Sequence, residues 1–377
     1  MKVALVCGAR PNFMKIAPLI RAIGKHNASS ETNPIEPILI HTGQHYDYEM
    51  SQVFFQDLKL PQPDIYLGVG SGTHAEQTGK IMIEFEKVLF KEKPGLVVVV
   101  GDVNSTLAAA LAAVKLHIPV AHVEAGLRSY DRDMPEEINR TLTDHISDYL
   151  FTTSSYDDDN LKKENISSSK IFRVGNIMVD NLLYNREVAE RANILPRLGL
   201  KEQSYALLTL HRPGNVDGKE SLTNILTAID SISHQIPVVF PVHPRTRGNI
   251  EKFGLQNFLT SNNISFIKPL GYLDFLKLEM CSKLVITDSG GMQVETTALD
   301  VPCLTLLNSP VWAITHKQGT NTLVGSNNQK LIEEAYKILD SKGKRGSCPE
   351  LWDGGTAGRI VNILAERKSR SKKNRVV

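Results

Sequence analysis

The chain has 377 residues, 22% of them charged, and a formal net charge of +2. A single core usually stops growing at about 250–300 residues, so two domains are expected. The balanced charge argues against a nucleic-acid partner, and the late basic run at 367–375 reads as a solvated tail. Cys7, Cys281, Cys303 and Cys348 lack metal-ligand spacing and read as reduced packing residues of a cytoplasmic protein. Met1 leads straight into a strand-like run, and no apolar stretch approaches the roughly 18 residues of a membrane helix, so neither a signal peptide nor a membrane span is expected.

Residues 2–7 form an apolar run that passes through Gly8-Ala9-Arg10-Pro11-Asn12 into a helical pattern over 13–23. A glycine turn, a proline near a helix start and the basic Arg10 and Lys15 make this helix N-terminus a candidate phosphate site. The spacing matches neither the dinucleotide nor the P-loop fingerprint, and two surface cations beside an ordinary turn explain it equally well. A strand over 35–41 and a glycine-rich loop over 68–73 follow.

The densest stretch is 97–140. Four valines, 97–100, end on Gly101-Asp102, and an alanine-rich helical segment covers 107–116. A second apolar run, 118–123, ends on Glu124, and a loop then reaches Met134-Pro135-Glu136-Glu137-Ile138-Asn139-Arg140. Short apolar runs alternating with helical segments are the pattern of a buried parallel sheet. Ligands bind beyond the carboxyl ends of such strands, so Asp102, Glu124 and Glu136 are expected to meet at one crevice. Crowding there is expected to raise the pKa of at least one of them. Plainer readings stand beside this one: Asp102 as the cap of the next helix, and Glu137 as a first-turn acid complementing the macrodipole, which is the preferred reading for Glu137.

A strand over 148–153 follows, with Ser154 as a helix cap, then a strand over 171–174 and a helix from 176 towards 191. The strand-free segment 192–202, with Pro196, marks the domain crossing, giving domains 1–191 and 192–377, the last helix free to pack back on the first. Beyond it the alternation restarts. Residues 205–210 end on His211-Arg212, 237–241 on Val242-His243-Pro244-Arg245, and 283–287 on Asp288-Ser289-Gly290-Gly291, with a further strand at 264–269. The α/β architecture predicted is two doubly wound Rossmann-like domains with a cleft between them. Gly290 and Gly291 stand before a helical segment at 293–299, where backbone amides suit a diphosphate, although a glycine turn for chain reversal alone is the bland alternative. Any one of His211 and His243 reads most simply as structural; their clustering with Arg212 at strand ends favours a site. Carboxylates in one half and cations with glycines in the other suit a sugar nucleotide. Arg10, His211 and the amides of Ser289, Gly290 and Gly291 would hold the diphosphate, while a carboxylate removes a proton from a sugar carbon.

These segments resemble the non-hydrolysing UDP-N-acetylglucosamine 2-epimerases: GARPNFMK at 8–15, TGQHYD at 42–47, GDVNSTLA at 101–108, HVEAGLRS at 122–129 and MPEEINR at 134–140. LHRPGNVD at 210–217, PVHPRT at 241–246, DSGGMQVE at 288–295 and GTNTLVG at 319–325 continue the match in family order. The resemblance implies a GT-B type fold, usually a homodimer, needing neither metal nor nicotinamide cofactor. It also implies anti elimination of UDP to a 2-acetamidoglucal and re-addition of UDP after protonation of C2 on the opposite face. Asp102, Glu124 and Glu136 fall on the catalytic carboxylate positions and His211 on the histidine beside the diphosphate. Arg10, Lys15, Phe275, Ser289, Gly290, Gly291 and Glu295 fall on nucleotide-binding positions, Glu295 placed to accept from ribose hydroxyls. The hydrolysing epimerases begin differently, so release of free N-acetylmannosamine is not expected.

One segment departs from the pattern. Where the family usually has Thr-Glu-Arg followed by proline, this chain has Pro310-Val311-Trp312-Ala313. Members acting on UDP-2,3-diacetamido-2,3-dideoxyglucuronate resemble it in carrying a tryptophan there. Gly43-Gln44-His45-Tyr46-Asp47 differs from the form in members with a second, activating substrate site, so that regulation is not expected. A GT-B glycosyltransferase and a catalytically inactive nucleotide-sugar binder are the competing readings; a transferase does not need three carboxylates around C2.

Overall fold

The computed structural model describes residues 1–29, 33–44, 60–260, 263–309 and 311–373. His45-Tyr46-Asp47 and Pro310 lie outside the described residues, as do the side chains of Arg10 and of the basic tail from 367. The chain divides into two compact units, Met1–Asn181 with Glu350–Val377, and Leu182–Pro349.

The first unit runs β1 (Lys2–Cys7), α1 (Arg10–Ser29), β2 (Glu36–His41), β3 (Ile65–Tyr66), α2 (His74–Glu92), β4 (Leu96–Val100), α3 (Asn104–Lys115), β5 (Val120–Ala125), α4 (Pro135–Ile146), β6 (Tyr149–Thr152), α5 (Ser155–Lys163), β7 (Ile171–Arg173) and α6 (Ile177–Glu190), the last of which carries the chain past the boundary at Asn181. Its seven strands are parallel in the order β3-β2-β1-β4-β5-β6-β7. Every residue of β4 and β5 is buried, as strands covered by helices on both faces must be. Ala109, Ala110, Ala112 and Ala113 of α3 bury against the same core as Val97 and Val99.

The second unit continues with α7 (Ile194–Arg197), β8 (Ala206–Thr209), α8 (Pro213–Val216), α9 (Lys219–Ser233), β9 (Val238–Pro241), α10 (Pro244–Lys252), β10 (Ile264–Ile267), α11 (Tyr272–Cys281), β11 (Leu284–Thr287), α12 (Gly290–Ala298), β12 (Cys303–Thr305), α13 (Ala313–Lys317), β13 (Asn321–Leu323) and α14 (Asn328–Leu339). The sheet order β10-β9-β8-β11-β12-β13 is again parallel and doubly wound. In each sheet the strand order reverses beside the first strand, between β1 and β4 and between β8 and β11. Those switch points open a crevice at the carboxyl ends, and most of the candidate residues sit there.

The segment expected to carry the crossing, 192–202, lies inside the second unit, because Ile194 and Leu195 of α7 bury in its core with Tyr205 and Val285. The chain's end, α15 (Thr356–Lys373), returns to the first unit. Asp180 caps it, accepting from the amides of Thr356 at 3.1 Å and Ala357 at 2.7 Å, and Trp352 Nε1 donates to the Thr153 carbonyl at 3.0 Å. Ser154 stands at the N-cap of α5 but does not cap it; its hydroxyl donates to Asp157, which also takes the Thr153 amide. Among the described residues no helix is long and apolar enough to cross a membrane.

Candidate active site

In the first unit the β1–α1 turn is tied down by Asn12. Its Oδ1 accepts from the amides of Gly8 and Ala9 at 3.1 and 3.0 Å, and its Nδ2 donates to the Val100 carbonyl at the end of β4. One turn further along α1, Lys15 is buried and its ammonium pairs with Glu124. Gly101 holds φ +68°, which favours glycine, and a Cβ there would lie 2.7 Å from Lys15 Nζ. Lys15 thus stands against the carboxylates at this strand end.

Glu124 closes β5 in the left-handed region, φ +71°, where the pairing with β6 slips between Val123 and Ala125. A bulge of this kind re-aims a side chain at a strand end, and a non-glycine held at positive φ is strain of the sort found at functional sites. The Glu124 side chain is 3% exposed, and its Oε1 has no hydrogen-bond partner among the described residues. Burial pushes its carboxyl above the ordinary glutamate range, and the Lys15 ammonium only partly offsets this. Crowding by Asp102 is a lesser contributor, so the expected upward shift is present but burial is its main cause.

Asp102 follows β4 and behaves oppositely. Burial pushes its carboxyl up, but Arg140 and Lys15 outweigh this and hold it below the usual aspartate range. It does not cap α3, whose N-cap is Val103; its carboxylate pairs with Arg140, and 29% of its side chain remains exposed. Arg140 also pairs with Glu137, whose carboxylate accepts from the Ser129 amide at 2.9 Å and the Tyr130 amide at 2.8 Å. Glu137 is therefore a clamp between the loop and α4, more than a macrodipole acid. Asn139 Nδ2 donates to the Asp102 carbonyl at 2.9 Å, which docks α4 on the β4–α3 turn. Glu136, in the first turn of α4, is half-buried and makes no hydrogen bond or ion pair among the described residues.

A buried network that motif reading passed over supports these carboxylates. His122 bridges the Asp144 carboxylate at Nδ1 and the Gly101 carbonyl at Nε2, both at 2.7 Å. Asp144 also takes the Gly126 amide and Arg128, and Arg128 forks onto Glu164. A histidine two residues before Glu124 in a fully buried strand was the available signal, since a polar side chain there must find partners.

In the second unit Asp288, at the end of β11, is the organising group. Fully buried, it accepts from the amides of His211 at 3.0 Å and Arg212 at 2.9 Å, from Asn215 Nδ2 at 3.2 Å and from His211 Nδ1 at 3.0 Å. Burial pushes its carboxyl up, but these donors, His211 foremost, hold it below the usual range. The Asp288 contact fixes the His211 ring, which is 42% exposed, and leaves Nε2 unpartnered among the described residues. His243 caps α10, its Nδ1 accepting from the Arg245 amide, and its ring lies 5.8 Å from that of His211. Arg212 Nε donates to the Asp288 carbonyl at 2.8 Å.

Three amides were expected for a diphosphate, but the Ser289 amide already donates to Thr287 Oγ1 at 2.9 Å. Gly290 and Gly291 remain, opening α12 without a side-chain cap, where N–H groups have no intrahelical acceptor. Trp312 is buried beside them, its Nε1 3.6 Å from the place of a Gly290 Cβ. Phe275 packs half-buried in the α11 core, and Glu295 of α12 accepts from the Tyr272 hydroxyl at 3.2 Å.

Two doubly wound sheets, each with polar residues at its switch point, define a protein of the GT-B type with two Rossmann-like domains. The family model described as UDP-N-acetylglucosamine 2-epimerase matches residues 27–365. The UDP-N-acetylglucosamine 2-epimerase of Methanocaldococcus jannaschii is 48% identical over 98% of this chain and 100% of that protein. Its crystal structure in complex with UDP-GlcNAc and UDP matches with a TM-score of 0.86 at 47% identity, covering 97% of this chain and 100% of that one. The UDP-2,3-diacetamido-2,3-dideoxy-D-glucuronate 2-epimerase of Pseudomonas aeruginosa is 43% identical over 97% of this chain and 100% of that protein. The chain belongs to the UDP-N-acetylglucosamine 2-epimerase family.

Proposed function

We propose that the protein inverts C2 of a UDP-2-acetamido sugar, converting UDP-N-acetylglucosamine to UDP-N-acetylmannosamine without releasing the free sugar. The C2–H and C1–O bonds break to give UDP and a 2-acetamidoglucal; a proton then returns to C2 on the opposite face as UDP re-adds at C1. The observation that carries this reading is the pair of strand-end carboxylates shifted in opposite directions, Asp102 held below the usual range chiefly by Arg140 and Glu124 pushed above it by burial. Inversion needs one group that takes a proton and another that supplies one. Asp102, Glu124 and Glu136 divide base, acid and positioning roles, and the electrostatics favour Glu124 as the proton carrier. His211, Arg10, Arg212, His243 and the amides of Gly290 and Gly291 serve the diphosphate, Phe275 the base, and Glu295 the ribose. The reading includes a homodimer with neither metal nor nicotinamide, as the family resemblance implies, and a cytoplasmic location, as the reduced cysteines suggest.

A second reading keeps the reaction and changes the sugar to UDP-2,3-diacetamido-2,3-dideoxyglucuronate. Trp312 against the Gly290 turn favours it, together with the Pseudomonas aeruginosa relative of that name. Purified protein is incubated with each UDP-sugar in deuterium oxide, without acceptor, and C2 is followed by NMR. Deuterium at C2 and the manno epimer from UDP-N-acetylglucosamine are expected. Exchange only in the diacetamido substrate moves the assignment to the second reading, and exchange in neither overturns both.

A further inference from the structure

The second unit buries a carboxyl for which the chemistry above has no use. Glu279 of α11 is 0% exposed, and neither of its oxygens has a hydrogen-bond partner among the described residues. The side chain set against it is Glu295 of α12, itself only 7% exposed and receiving the Tyr272 hydroxyl at 3.2 Å. An ionised carboxylate with both oxygens shut away from water and from donors is costly, and two adjacent carboxylates cannot both hold their charge. The more deeply buried of the two keeps the proton, as in other carboxyl pairs whose environments differ. A neutral Glu279 has one O–H to donate, and Glu295 is the acceptor placed to receive it.

We propose that Glu279 is a positioning residue: as a neutral acid it donates to Glu295 and, with Tyr272, fixes that carboxylate to accept the ribose hydroxyls of a uridine nucleotide. The inference rests on the assignment of Glu295 to the ribose. Among the described residues the groups facing Glu279 are Glu295, which also takes the Tyr272 hydroxyl, and, from β12, Cys303, whose thiol is pushed up to about 12 chiefly by burial and further by Glu279. No cation is paired with it among the described residues. Burial, and then the charge of Glu295, push the Glu279 carboxyl well above its usual 4.5. Nucleotide affinity is therefore retained while Glu279 is protonated and falls as rising pH ionises it beside Glu295.

The test is calorimetric titration of the full-length protein with UDP over about pH 6 to 9.5, a range that brackets known buried glutamic acids. Glu279→Gln donates an amide N–H to Glu295 and cannot ionise. It is expected to match the parent at the low end and to lack the parent's alkaline loss; titration of the uracil ring affects both alike and cancels. Glu279→Leu, which removes the donor, is expected to bind UDP about 5- to 10-fold more weakly at every pH. If that variant does not fold, the isosteric glutamine variant carries the test alone. Parallel pH profiles for parent and Glu279→Gln overturn the proposal. Glu295→Ala separates the two levels: unchanged UDP affinity removes the ribose assignment and this inference with it, whereas weakened affinity alongside parallel profiles removes only the role of Glu279.

Discussion

The two units build their polar strand ends by opposite means. In the first, carboxylates are set against buried cations, Glu124 against Lys15, Asp102 and Glu137 against Arg140, and Asp144 against Arg128, with His122 also on Asp144. In the second, a single aspartate, Asp288, gathers backbone amides and a histidine, and α12 opens on two glycines with no side-chain cap among the described residues. Fixed cations around a carboxylate set which proton state it holds, and that is the requirement of acid–base chemistry. Backbone amides at a helix start have no proton to exchange and suit a constant anion such as a diphosphate. On the proposed reading, the chemistry belongs to the first unit and the grip on the nucleotide to the second.

The comparison breaks most readily at Arg140. Arg140→Met leaves the buried Glu137 unpaired and frees Asp102, and a loss of about 3–5 kcal/mol of folding stability is expected by denaturant titration. A loss within experimental error would show that the clamp does not hold α4. Glu295→Ala probes the other unit with a smaller effect: UDP binding weakened by about 1–3 kcal/mol by calorimetry, with folding stability little changed.

The smallest effects concern two buried aspartates of opposite tendency. Asp288 is held below the usual 3.8. Its contribution is therefore present above that value and lost as pH falls through its folded value, so parent and Asp288→Asn should converge in acid. Asp157 is pushed by burial to about 7, with Thr153 and Ser154 opposing. Its folded form keeps a proton that the unfolded chain loses near 3.8, so the parent's stability relative to Asp157→Asn should decline between that value and about 7 and level off above. Unfolding midpoints measured against pH check both, and slopes of the same sign for the two aspartates would contradict the comparison.

Much of this was readable in the sequence because fully buried parallel strands are written as short apolar runs, and the residue after each run marks a carboxyl end. Asp102, Glu124, His211 and Ser289 were located that way. Tertiary partners were not readable. Nothing near Glu137 in sequence announces its clamp on Ser129 and Tyr130, and the Lys15–Glu124 pair joins residues far apart in the chain. Likewise the Ser289 amide was assigned to a ligand, yet the Thr287 hydroxyl two residues earlier takes it. The crossing at 192–202 was misplaced because a proline in a strand-free segment looks like a linker, although α7 packs its apolar residues into the second core.

The division of labour is tested most directly by measuring two quantities on the same carboxylate variants. Asp102→Asn, Glu124→Gln and Glu136→Gln each keep shape and remove a titrating group. UDP affinity by calorimetry is expected to stay near that of the parent, while epimerisation of the true substrate falls by about 100-fold or more. Three variants that epimerise at the parent rate, or that lose UDP binding in step with activity, would contradict the assignment of chemistry to the first unit.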